Sequence, residues 1–225
     1  IRAYQNNPNT QVVAIGSRTL ESAQRKASDL GGRCELYDDY ERLLANPEVD
    51  VVSICTPPDR HAFETIAAAH AGKHLLIEKP VAMNGEALEK MSIAVREAGV
   101  KTVVSFVLRW NPMIVSMRKM IEKGWVGRPL LVQADYWHGP TNAHLEKFSR
   151  PNWRPLEGGA IVHGGCHAMD AARFLLGNDE VTRVSGVSPG GADEGYPATT
   201  VATVQFAGGA AGKISGSTAF FMPYV

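Results

Sequence analysis

Within the glycine-rich stretch Gly158-Gly159-Ala160-Ile161-Val162-His163-Gly164-Gly165-Cys166-His167-Ala168-Met169-Asp170, three ionisable side chains follow one another at helical spacing. If the chain is helical from residue 163 onward, His163 and His167 lie four apart on one face, with Asp170 three residues beyond. Two chemistries suit such a trio. An imidazole that titrates near neutrality can take the proton of an alcohol while hydride leaves the same carbon, which casts His167 as a general base. A His, His, Asp set at this spacing also suits zinc, and would serve a hydrolase or lyase. The Gly164-Gly165 pair weakens any helix through residue 163, and no second ligand cluster is present in the sequence. Proton transfer is therefore the preferred reading and no metal is expected. The plain alternative is a helix-capping His with a surface Asp.

A second source of chemistry is Glu78-Lys79-Pro80, which follows the short apolar run His74 to Ile77. An ammonium at a strand end can hydrogen-bond a substrate hydroxyl and, when partly buried, exchange a proton with it. Taken alone, the tripeptide reads equally as an exposed Lys-Glu pair before a turn, with Pro80 free to be cis or trans as far as sequence goes. Upstream, Thr56-Pro57-Pro58-x-x-His61 ends another apolar run.

The elements that must hold these groups follow a βαβ grammar. A strand from Gln11 to Gly16 precedes a helix over about Glu21 to Leu30, stopped by Gly31-Gly32. A short helix near Tyr40 to Ala45 leads into Val49 to Thr56, an apolar run without polar alternation, as expected of a strand covered on both faces. A helix over His61 to Ala71, a strand over His74 to Ile77, a helix capped by Asn84 and running to Gly99, and a strand over Val100 to Leu108 complete the series. This order implies an α/β fold with a right-handed, doubly wound parallel sheet over residues 1–108. In such sheets ligands bind at the carboxyl ends of the strands. The residues ending the second strand of a dinucleotide fold face the adenosine ribose, and here they are Ser17-Arg18 with no carboxylate, which favours NADP over NAD.

After Arg109 the grammar changes. A helix over Met113 to Lys123 and a strand over Pro129 to His138 are followed by strand-like runs at Glu180 to Ser188, Thr199 to Phe206 and Gly212 to Ala219, the last two joined by a Gly-rich hairpin. Residues 109–225 thus read as an α+β domain with an open antiparallel sheet. A helix over Cys166 to Leu176 carries the histidine region.

Composition narrows the function classes. Lys plus Arg and Asp plus Glu both number 23, so a basic stripe for nucleic acid is not expected. The longest apolar runs fall far short of the roughly 20 residues a bilayer requires. The N-terminus lacks a charged region leading into an apolar one, and Cys34, Cys55 and Cys166 are odd in number and widely spaced, so a soluble, cytoplasmic protein with reduced thiols is expected, without membrane or nucleic-acid partners.

Taken together, Thr56-Pro57-Pro58-x-x-His61, Glu78-Lys79-Pro80, Arg109-x-Asn111-Pro112, Trp153-Arg154 and Gly158-Gly159 through His167-x-x-Asp170 resemble the Gfo/Idh/MocA family, which includes glucose-fructose oxidoreductase and inositol dehydrogenase. The resemblance implies a Rossmann domain for NAD(P), a C-terminal domain with an open antiparallel sheet, and homo-oligomers formed through that sheet. It implies oxidation of a secondary hydroxyl on a sugar, polyol or related cyclic substrate, with Lys79 and His167 as the catalytic pair and His163 and Asp170 beside them. Ser17, Arg18, Thr56, Pro57, His61, Glu78, Lys79 and Pro80 then fall on the cofactor side. Arg109, Tyr136, Trp137, Trp153 and Arg154 are the substrate-side candidates, since amphipathic aromatics and Arg suit hydroxyl-rich ligands.

The chain departs from the family pattern twice. The family often carries Asp four residues before its catalytic histidine, where this chain has His163; that substitution motivates a non-catalytic, cofactor-binding alternative. Family members also begin with a strand and a G-x-G-x-x-G/A turn that holds the pyrophosphate. The expectation is accordingly of a chain truncated at both ends, with a gap in the middle of its parallel sheet.

Overall fold

The computed structural model describes residues 1–28, 34–138, 159–189 and 197–219. They belong to two compact units, residues 1–81 with 85–104, and residues 82–84 with 105–225.

In the first unit, helix α1 (Arg2–Gln5) is followed by β1 (Ala14–Gly16), α2 (Leu20–Ala27), β2 (Glu35–Tyr37), α3 (Tyr40–Leu44), β3 (Val51–Ile54), α4 (Pro58–His70), β4 (His74–Ile77), α5 (Gly85–Ala98) and β5 (Thr102–Val104). The helix starts are chemically specified. Thr19 accepts a hydrogen bond from the Ser22 amide at 3.2 Å and Asp39 accepts one from Arg42 at 3.0 Å, each satisfying a first-turn donor, while Pro58 occupies the first turn of α4. All strand pairings are parallel, but the strands form two separate sheets, β1-β2 and β3-β4-β5.

Two expectations about these elements change. The strand β2 is missing from the sequence reading, because three residues between a cysteine and two aspartates are too short a run to register as alternation. The run at β3 is covered on one face only: Val52 and Ile54 are 8% and 2% exposed, whereas Val51 is 55% exposed. The physical reason is the placement of the helices. Helix α4 packs on β3 and β4 and α5 packs on α4, so Leu75 and Ile77 are buried with Val52 and Ile54 while Val103 shares the open face with Val51. Over that face the Tyr4 hydroxyl of α1 donates to Ser53 Oγ at 3.1 Å.

The interior of α4 contains one polar group with no use for its polarity. Thr65 is 1% exposed and its hydroxyl has no hydrogen-bond partner among the described residues. A valine has the same shape without the desolvated hydroxyl. Thr65→Val is expected to stabilise the unit by about 1 kcal/mol, read as a higher midpoint in thermal or urea unfolding; a lower midpoint would show that the hydroxyl is satisfied.

The expected strand through Leu108 stops at Val104, the end of the first unit, and the second unit opens with a 3-10 helix at Val107–Trp110. Then follow α6 (Pro112–Glu122), β6 (Leu131–Trp137), α7 (Gly159–His163), α8 (Gly165–Leu175), β7 (Val181–Val187), β8 (Thr199–Phe206) and β9 (Ala211–Ser217). The sheet order is β6-β9-β8-β7. It is mixed rather than purely antiparallel, because β6 runs parallel to β9 while β7-β8 and β8-β9 are antiparallel. Helix α8 covers one face, and Ala168 and Ala172 meet Val204, Phe206, Ala210 and Ile214 in the core. Small helix residues let the helix lie close to the strands, and this packing holds the histidine region in place.

The opposite face of the sheet carries a polar network. Asp135 accepts from Lys213 Nζ at 2.6 Å, from Gln133 Nε2 at 2.9 Å and from the Ser215 hydroxyl. Burial pushes the Asp135 carboxyl up, but the hydrogen bonds from Lys213, Ser215 and Gln133, with the Lys213 charge, outweigh it and hold the group below its ordinary value of 3.8. A carboxyl depressed on folding contributes stability that is present above its unfolded value and is lost as pH falls through its folded value. Acid titration of unfolding should therefore lose a component below the ordinary range, and Asp135→Asn should remove that component; an unchanged acid slope would remove Asp135 from the account.

No helix among the described residues is long and apolar enough to cross a membrane, and all three cysteines are free thiols.

Candidate active site

In the first unit the candidate residues stand where their strands end. After β1, the Ser17 amide donates to the Tyr37 carbonyl at 2.9 Å, and Arg18 is exposed. After β3, Thr56 and Pro57 are exposed at the entrance of α4. After β4, the Glu78 amide donates to the Ile54 carbonyl at 3.0 Å, so the two strand ends stay in register, and the Lys79 amide donates to Glu78 Oε2 at 3.2 Å. Glu78 and Lys79 are half-buried, and the Lys79-Pro80 peptide is cis. An exposed guanidinium and a half-buried ammonium at the carboxyl ends of parallel strands fit a dinucleotide, which presents hydroxyls and anionic phosphates.

His61 departs from this arrangement. It was expected to flank the cofactor, but it is 1% exposed, with Nδ1 2.9 Å from the Pro80 carbonyl oxygen and Nε2 2.9 Å from that of Thr56. Both ring nitrogens are engaged inside the protein, so the side chain does not reach a ligand. On the same helix Glu64, 6% exposed, accepts the Thr56 hydroxyl at 2.6 Å, and its carbonyl accepts the Tyr40 hydroxyl at 2.9 Å. Burial, with the Glu64 charge beside it, pushes the Tyr40 phenol well above its ordinary value and keeps it a donor.

In the second unit the histidine region is built on close backbone approach. Helix α7 ends at His163 and α8 begins at Gly165, so His163 and His167 are not on one continuous helical face as the spacing suggested. Gly164 makes the junction possible: a Cβ there would stand 2.8 Å from the Tyr136 ring and 3.4 Å from His138 Nε2. From below, Gly216 of β9 admits the helices, since its Cβ would stand 2.9 Å from the Ala160 carbonyl oxygen and 3.1 Å from the Gly165 Cα. Any side chain at either position pushes the histidines off the sheet.

The result is that His167, 4% exposed, lies against Tyr136, with ring centroids 5.0 Å apart and planes 32° from parallel, and meets the Phe106 ring edge-on at 6.1 Å. His163 turns instead toward His138, whose ring centroid is 6.1 Å away; His138 in turn lies 5.8 Å from Tyr136. His138 was not singled out from the sequence. The signal for it was present, because side chains alternate along β6 and positions 136 and 138 share a face.

The same alternation corrects Trp137. It points to the opposite face of the sheet, where its indole Nε1 donates to Ser215 Oγ at 2.6 Å and the Lys213 ammonium lies 5.6 Å from its ring, so it is no neighbour of His167. Arg109 and Asp170 are corrected together. Arg109 Nε and Nη2 donate to Asp170 Oδ2 and Oδ1 at 2.8 and 2.7 Å, a two-pronged ion pair between the 3-10 helix and α8, with the guanidinium stacked 5.1 Å from the Phe174 ring. With both oxygens committed, Asp170 serves as an anchor one helical turn beyond His167 and is no metal ligand. Among the described residues no group of three or more His, Cys, Asp and Glu side chains is placed to hold a metal ion, which removes the His163, His167, Asp170 metal reading. Trp153 and Arg154 lie outside the described residues.

Comparison with known proteins agrees with this architecture. A family model described as oxidoreductase family, NAD-binding Rossmann fold, matches residues 1–106, and one described as the GFO/IDH/MocA C-terminal domain matches residues 114–224. The scyllo-inositol 2-dehydrogenase (NAD(+)) of Bacillus subtilis is 30% identical over 93% of this chain and 60% of its own length. The 1,5-anhydro-D-fructose reductase of Ensifer adhaerens is 32% identical over 88% of this chain and 59% of its own. The WlbA dehydrogenase of Bordetella pertussis, solved in complex with NADH and UDP-GlcNAcA, superposes with a TM-score of 0.84 at 26% identity, covering 98% of this chain and 63% of that one. The chain thus spans about three-fifths of the length of these relatives. With both of its units matched in order and the parallel strands and mixed sheet in place, the chain belongs to the Gfo/Idh/MocA oxidoreductase family, whose first domain is an NAD-binding Rossmann fold.

Proposed function

We propose that the protein oxidises, reversibly, a secondary hydroxyl of a sugar, polyol or related cyclic substrate, with NADP preferred over NAD. The observation that carries this reading is His167, an imidazole held at 4% exposure against Tyr136 by a glycine junction, in a chain of this family. The names of the inositol, anhydrofructose and nucleotide-sugar relatives support the substrate class.

Oxidation of a CH–OH group divides into loss of hydride from carbon and loss of a proton from oxygen. The bound nicotinamide supplies the hydride acceptor. The role of His167 is to take the proton, and that of the Lys79 ammonium is to donate a hydrogen bond to a substrate hydroxyl and steady developing charge on it. Tyr136 forms the wall against which the imidazole is oriented, with His138 and His163 beside it. Ser17 and Arg18 meet the adenosine ribose or its phosphate, and Thr56, Pro57 and Glu78 border the dinucleotide. We place the protein in the cytoplasm and its oligomer interface on the sheet face opposite α8, where Leu131, Trp137 and Val187 are exposed.

The decisive experiment on the full-length protein is cofactor reduction followed by absorbance with a panel of cyclic polyols, sugars and sugar acids. Reduction that disappears in both Lys79→Ala and His167→Ala supports the reading. Tight cofactor binding without reduction of any panel member would favour the non-catalytic reading, for which the His163 substitution speaks. The cofactor preference has its own test: Arg18→Ala should weaken NADP far more than NAD, and equal losses would remove Arg18 from the 2′-phosphate.

A further inference from the structure

Helix α4 turns two buried polar side chains, His61 and Glu64, toward the segments that follow β3 and β4. Glu64 takes the Thr56 hydroxyl at 2.6 Å and lies 3.4 Å from Arg60 Nε; His61 faces the Thr56 carbonyl with one nitrogen and the Pro80 carbonyl with the other, both at 2.9 Å. Carbonyl oxygens only accept, so each ring nitrogen serves its neighbour when it carries hydrogen. A neutral imidazole satisfies one of the two carbonyls in each tautomer and an imidazolium satisfies both. Thr56 is thus held through its hydroxyl and its carbonyl by one helix, and the same ring that holds it reaches across to the carbonyl of Pro80, the residue after Lys79.

We propose that His61 is a positioning residue for the reaction, setting the Lys79 ammonium at a fixed place relative to the cofactor-side turn Thr56-Pro57 by bridging the carbonyls of Thr56 and Pro80. The proposal rests on the catalytic role given to Lys79 above. A core contact alone has little need of an imidazole, since an aliphatic side chain fills such a space without desolvating two ring nitrogens. What the ring adds is a rigid spacer between the ends of adjacent strands. Displacements of about 1 Å at a reacting group cost on the order of a hundredfold in rate, so a spacer of this kind acts on catalysis through a residue it never touches at the substrate.

The test uses the full-length protein with bound cofactor and compares His61→Leu, which removes both bridges, and His61→Gln, whose amide retains one donor, with Lys79→Ala. The expected result is a kcat lowered by about tenfold to a hundredfold in folded His61→Leu and by less in His61→Gln, with KM and the cofactor dissociation constant within a few-fold of the parent. If His61→Leu fails to fold, the same readings on His61→Gln decide. An unchanged kcat in the folded variants, with only the melting temperature lowered and Lys79→Ala inactive, overturns the positioning role while leaving Lys79 in place. Full activity in Lys79→Ala overturns the lysine's role, and the role of His61 falls with it.

Discussion

On the proposed mechanism, His167→Asn is expected to lower kcat by about a hundredfold to ten-thousandfold while leaving the dissociation constants of NADPH and NADH within a few-fold of the parent. Asparagine occupies similar space at a site that is 4% exposed, so the packing against Tyr136 and Phe106 survives and the fold is not what is being tested. What disappears is a side chain able to accept a proton near neutral pH. The loss is expected in kcat, because in the proposed reaction the proton leaves the hydroxyl in the transition state and not on binding. Steady-state kinetics with stopped-flow measurement of the hydride step would check it. A variant that keeps more than a tenth of the parental kcat would mean that another group takes the proton, and the pH profile of that variant would identify whether it titrates like an imidazole.

Asp170→Ala is expected to destabilise the second unit by about 2–3 kcal/mol. The Asp170 side chain is 8% exposed and that of Arg109 29%, so removing the carboxylate strands a guanidinium that still has partial access to water. That access places the cost below the 3–5 kcal/mol characteristic of a fully buried pair. A double replacement, Arg109→Met with Asp170→Leu, should recover most of the loss, since two apolar groups leave neither charge unpaired. Urea unfolding of the single and double variants measures both quantities. Equal destabilisation in the double variant would show that the ion pair is net stabilising and not merely costly to break. Because Asp170 lies one turn beyond His167 on α8, the single variant should also lose activity by more than its folded fraction accounts for.

The physical basis of what was legible is clear in particular elements. Prolines and glycines punctuate the first unit so strongly that α4, β4 and α5 lie close to where the pattern placed them, and β8 coincides with its expected range, Thr199–Phe206. Strand β2 was invisible, because three residues cannot display a period. The coverage of β3 was misjudged for a different reason: a run of apolar residues reports suitability for burial, and only the positions of α4 and α5 decide which face receives it. At the candidate site, residue type did not by itself give residue role. Arg109 and Asp170 have the chemistry of substrate or metal contacts, yet each is consumed by the other.

By itself, the sequence determined the βαβ grammar, the change of architecture after the first unit, and the gathering of ionisable side chains in the glycine-rich stretch from Gly159 to Asp170, because these depend on local propensities and on motif order. Only the tertiary structure decided which face of β6 meets His167, that His61 is buried between the Thr56 and Pro80 carbonyls, and that β6 joins the sheet parallel to β9. These depend on neighbours distant along the chain. Gly164 and Gly216 illustrate the division: each reads as flexibility in the sequence, whereas in the fold each is the absence of a Cβ where Tyr136 or the Ala160 backbone must stand. The chemistry of a side chain is written in its identity, but its access to a ligand is set by what packs against it.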